Sequence, residues 1–75
     1  MASERWYMLT WTKLDGSEEW GARMRGASGL AALVDAGKRM LRQGRAKQAA
    51  VYTAPHGRPG SLEWVSDQYG AGRAS

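Results

Sequence analysis

The chain has 75 residues, a formal net charge of +4 and a pI of about 10.0. A chain this short forms one small domain and buries only about 60% of the surface its unfolded form exposes. With no cysteine it carries no disulfide and no thiolate metal site, and its single histidine, His56, cannot build a zinc site alone. The expectation is therefore a protein with no metal or cofactor, which draws extra support from oligomerisation or a partner. "MASERWYMLTW" lacks the basic start and long apolar stretch of a signal peptide, and no window approaches the ~18 apolar residues of a membrane span. The expected location is the cytoplasm of a bacterial or phage-infected bacterial cell.

In chain order, "WYMLTWTKL" reads as a strand rich in aromatics and threonine. It does not alternate cleanly: Trp6, Tyr7, Met8, Leu9 and Trp11 put large apolar groups on both of its faces. Asp15-Gly16 predicts a two-residue type I′ hairpin turn. "SEEWGARMR" then returns as a second strand, weakened by Gly21. In "GASGLAALVDAGKRMLRQGR", Leu30, Leu33, Val34, Gly37, Met40 and Leu41 recur at helical spacing. That spacing predicts a helix from about Gly29 to Gln43, with Ser28 as N-cap and Gly44 as the left-handed stop. "AKQAAVYTA" reads as a third strand, "PHGRPG" as a turn cluster and "SLEWVSD" as a fourth strand. The expected domain covers residues 1–67, and residues 68–75 read as a flexible tail.

The expected fold class is α+β: a four-stranded, mostly antiparallel sheet in ββαββ order with one helix packed on one face. A two-residue turn at Asp15-Gly16 places Leu14 opposite Ser17, Lys13 opposite Glu18, Trp11 opposite Trp20, Leu9 opposite Ala22 and Tyr7 opposite Met24. Trp6, Met8, Thr10, Thr12, Glu19, Arg23 and Arg25 then share the other face. In the second hairpin, Ala54 opposite Ser61 sets Val51 against Trp64 and Thr53 against Leu62, leaving Tyr52, Glu63 and Val65 on that other face. The predicted core is Tyr7, Leu9, Trp11, Trp20, Met24, Leu30, Leu33, Val34, Leu41, Val51, Leu62 and Trp64. One helix covers one face of a sheet, so Trp6, Met8, Tyr52 and Val65 are left beside Arg23 and Arg25 on an open face that wants cover.

These six residues are the candidate partner-binding site. The same residue types are enriched at protein interfaces, and they also suit a stacking platform for single-stranded nucleic acid. Lys38, Arg39, Arg42, Arg45 and Lys47, near the end of the helix, form the densest positive charge. They are a candidate phosphate-contacting patch, or cations that complement the helix dipole. His56 and Arg58 sit in a turn without the orienting partner and pocket that catalysis needs. Glu18 and Glu19 are adjacent on a strand, so their carboxylates diverge. "GASG" lacks the spacing and the lysine of a nucleotide-binding loop.

No nucleophile–base pair, metal set or small-molecule site stands out, so no enzyme activity is expected. Asn, Ile, Phe and Cys are absent and arginine outnumbers lysine, which points to a GC-rich genome and a phage or mobile-element accessory protein. The functional expectation is a small protein-interaction module using the open sheet face. It could act as a homodimer, or as an inhibitor or adaptor that docks on a larger host protein, for example in antiviral defence. The alternative is a small basic nucleic-acid-binding protein using that face or the helix-end arginines.

Overall fold

A computed structural model describes residues 5–66; Asp67 and the expected tail at 68–75 lie outside the described residues. The elements follow in the expected ββαββ order: β1 (Trp6–Thr12), β2 (Glu18–Arg25), α1 (Gly26–Arg42), β3 (Gln48–Thr53) and β4 (Leu62–Val65). All four strands form one sheet in the order β2-β1-β3-β4, and every neighbouring pair is antiparallel. The aromatic first strand is therefore central. The helix leaves the edge strand β2, crosses β1 and delivers the chain to β3.

The core lies between α1 and one face of the two central strands. Tyr7, Leu9, Leu33, Ala49 and Val51 are buried there, with Trp11, Leu30, Val34, Ala36, Met40 and Trp64 packed around them. Gly37 is the point of closest approach. A Cβ there would stand 3.0 Å from the Trp64 ring, 3.1 Å from the Ala49 Cβ and 3.3 Å from the Leu9 side chain. The absent side chain lets the helix settle onto the sheet.

Three expectations are corrected. The helix starts at Gly26 rather than Gly29, and Ser28 is not its cap. Gly26 takes φ +79°, a left-handed conformation that lets the strand turn into a helix without a loop, while its N–H still donates to the Arg5 carbonyl at 2.8 Å. At the other end Gly44 stops the helix as expected, at φ +72°. Its N–H donates to Leu41 and the N–H of Arg45 to Met40, the two bonds of a Schellman cap.

The first hairpin does not use a two-residue turn. Lys13 pairs with Ser17 across a three-residue loop, with the N–H of Gly16 donating to the Lys13 carbonyl. Gly16 alone takes positive φ in that loop (+93°), whereas a type I′ turn requires it of Asp15 as well. Every pair near the turn is therefore displaced by one residue: Thr12 opposes Glu18, Trp11 opposes Glu19 and Thr10 opposes Trp20. A bulge opposite Leu9, holding Gly21 and Ala22, absorbs the slip. Beyond it Met8 opposes Arg23, Tyr7 opposes Met24 and Trp6 opposes Arg25, the last stretch as expected.

The second hairpin repeats the pattern. Val51 opposes Trp64 as expected, but a register shift then sets Tyr52, not Thr53, opposite Leu62. Thr53 rather than Ala54 bonds Ser61: its N–H donates to the Ser61 carbonyl at 2.8 Å, and its Oγ1 accepts from the Ser61 N–H at 2.9 Å. Met24 keeps its expected register but, on the edge strand, is 41% exposed; Trp20 and Leu62 leave the predicted core through these shifts, each with 53% of its surface exposed. Glu18 and Glu19 exchange faces for the same reason. Glu19 now lies on the helix side, where it meets Lys13 at 3.5 Å.

Candidate functional site

The helix-free face is built by alternation. From β2 it receives Glu18, Trp20, Arg23 and Arg25; from β1, Trp6, Met8, Thr10 and Thr12; from β3, Gln48, Ala50 and Tyr52; from β4, Leu62 and Val65. The structure thus brings together all six residues of the sequence-based site. It adds two that sequence reasoning placed in the core, Trp20 and Leu62. Gly21 was the available signal for Trp20, because glycine inside a strand commonly marks a bulge. Nothing comparable marked Leu62.

The centre of this face is low and its edges stand up. Met8, Thr10 and Ala50 are buried even though no helix covers them. Their cross-strand neighbours Arg23, Trp20, Tyr52 and Val65 rise on either side. Part of this face is a shallow concavity of about 280 Å³ whose lining includes Thr10, Glu18, Gln48, Tyr52, Leu62 and Val65. Met8, 4% exposed, is therefore buried within this face rather than part of its accessible surface.

Trp6 and Arg23 are engaged with one another. The Arg23 guanidinium lies 4.5 Å from the Trp6 ring centroid and that of Arg25 lies 5.4 Å from it. Arg23 also reaches across β1, and its Nη1 donates to the carbonyls of Ala54 at 2.8 Å and Pro55 at 3.4 Å. This side chain is a strap across three strands. A cation on the Trp6 ring also takes up surface that a nucleic-acid base would need for stacking.

The helix-end cations Lys38, Arg39, Arg42, Arg45 and Lys47 are all exposed. Arg39 bridges Asp35 at 2.9 Å and Arg45 donates to the Gln43 side chain at 3.4 Å. Lys38 and Arg42 border a second depression of about 430 Å³, shared with Leu41, Trp64 and Ser66 on the helix side of the sheet. His56 and Arg58 lie on the exposed turn after β3. Among the described residues, no group of three His, Asp or Glu side chains could hold a metal ion, and no helix is long and apolar enough to cross a membrane.

No protein-family model, no curated protein and no solved structure matches this chain. The fold and the site define its class only as a small α+β protein with one covered and one open sheet face.

Proposed function

We propose that this protein is a non-enzymatic interaction module that docks on another protein surface through its helix-free sheet face. One observation carries the reading: Trp20 and Leu62, each about half exposed, flank a helix-free sheet centre in which Met8, Thr10 and Ala50 are buried. Tryptophan, tyrosine and arginine, which this face carries at Trp6, Trp20, Tyr52, Arg23 and Arg25, are the residues enriched in interface hot spots. Phage or mobile-element origin and a role in the bacterial cytoplasm, as a dimer or as an inhibitor of a host protein, fit this reading.

The test is capture on the immobilised chain, with nuclease present and at raised salt. The tagged chain itself is among the proteins offered. Retention by wild type and loss from Trp20→Ser support the reading. Equal retention by both proteins refutes it.

The depression at the end of α1 supports a second reading as a nucleic-acid contact, because an aromatic ring, Trp64, and two cations, Lys38 and Arg42, line it together. On that reading Lys38→Ala and Arg42→Ala each weaken binding to single-stranded oligonucleotides and flatten its salt dependence. Trp20→Ser leaves such binding unchanged.

A further inference from the structure

We infer that the occupant of the open face is a second copy of this chain, packed face to face with its strands antiparallel to the first. This rests on the reading of the face as a protein-docking surface and names the partner. The warrant is the direction in which charge runs along β2. On its open side Glu18 stands at the hairpin end, Trp20 in the middle, and Arg23 and Arg25 at the helix end. A foreign surface of one sign would match only one end of this row. A reversed copy of the same row matches both.

Identical chains close through a two-fold axis, and for two stacked sheets that axis has two simple settings. With the axis along the strands, the strand order is reversed and β2 of one copy lies over β4 of the other, so the charged row faces Leu62 and Val65. Glu18, Arg23 and Arg25 are then dried against an apolar row with no opposite charge to meet, which opposes association. With the axis across the strands, one copy is reversed. Glu18 then lies over Arg25 of the second copy, and Trp20 over its Arg23. That guanidinium is already held in place by Trp6 and the Ala54 carbonyl, so it can stack on a further ring with little loss of freedom. Leu62 lies over Val65 at the other edge. Each contact occurs twice.

The face is about 15 Å across and 25 Å long, from strand spacing and rise. That footprint is below the ~800 Å² per partner of a standard interface, so the expected association is weak and concentration-dependent.

The experiment is sedimentation velocity on the nucleic-acid-free chain, from about 5 µM to about 1 mM. Circular dichroism and thermal melts confirm that each variant folds. Wild type is expected to dimerise. Glu18→Arg and Arg25→Glu should each weaken the dimer about tenfold or more, and the double reversal should restore it. Trp20→Ser should weaken it about thirtyfold or more. A wild-type monomer at the highest concentration overturns the inference. So does a dimer that ignores Trp20→Ser, and so does a double reversal that fails to restore association. The broader docking reading fails on a separate result: Trp20→Ser changing neither self-association nor capture of any other protein.

Discussion

At the scale of single residues, the side chains that organise the open face are strapped before any partner arrives. Arg23 is the clearest case, with its stem on β2, its guanidinium over Trp6 and its hydrogen bond on Ala54. Removing it leaves a carbonyl without its charged donor and a tryptophan without its cation. Arg23→Ala should therefore cost about 1.5–3 kcal/mol in chemical denaturation and shift the tryptophan emission. Arg23→Lys keeps the charge but not the planar fork, so it should recover only part of the loss. Asp15 organises the first turn in a similar way. It accepts from the backbone N–H of Ser17 at 2.9 Å and from its hydroxyl at 2.7 Å. These bonds, the backbone one foremost, favour the carboxylate and hold Asp15 below the ordinary 3.8. A depressed native pKa contributes stability above the unfolded value, and that contribution disappears as pH falls through the folded value. Asp15→Ala should accordingly lower Tm at neutral pH, and the gap from wild type should narrow as the buffer is taken into the acid range.

At the scale of elements, two glycines set how closely the helix approaches the sheet. A Cβ at Gly29 would come within 2.9 Å of both the backbone carbon and the Cβ of Met24. Alanine there gains about 1 kcal/mol in helix propensity. Overpacking costs about 1–3 kcal/mol, and a strand backbone cannot step aside as a side-chain tip can. Gly29→Ala should thus destabilise despite its better propensity, as measured by denaturant midpoint. Gly44→Ala should also destabilise, for the different reason that its φ of +72° strains any side chain. The bulge at Gly21 and Ala22 matters most for the proposed docking face, because it decides which way Trp20 points. The Trp11 ring lies 3.1 Å from where a Gly21 Cβ would be. The bulge is therefore pinned from the helix side by the ring that Trp20 was expected to oppose.

For the whole molecule, a single helix on a four-stranded sheet divides the tryptophans by role. Trp11 and Trp64 pack against the core, while Trp20 stands exposed on the opposite face. This predicts an asymmetry. Leu9→Ala, at a nearly buried core position, should cost about 2–5 kcal/mol in denaturant unfolding. Trp20→Lys should change the stability of the monomer by much less, and its loss should appear in association instead. A Trp20→Lys variant that unfolds would return Trp20 to the core and remove the docking face. The fold also leaves two edge strands, and β4 is short, with four residues. Brevity at that edge and the bulge in β2 both discourage edge-to-edge pairing, which leaves the open face as the surface where association has most to gain.

Much of this was legible in the sequence. Helical spacing from Leu30 to Leu41, the Gly44 stop, four strand-like runs and the ββαββ order follow from local chemistry, and each is present. So is the inference that "WYMLTW" needs cover on both faces, because side-chain alternation along one strand is a local property. Register was not legible. The choice between a two-residue and a three-residue loop at Asp15-Gly16 turns on the φ of one aspartate. The compensating bulge depends on how Trp11, Leu9 and Gly21 pack once α1 is in place. A displacement of one residue moves a side chain to the opposite face of the sheet. The sequence by itself therefore determined that a large apolar surface would remain uncovered. The tertiary structure decided that Trp20 and Leu62 belong to it, because only packing against the helix selects between registers that local propensity leaves nearly equal.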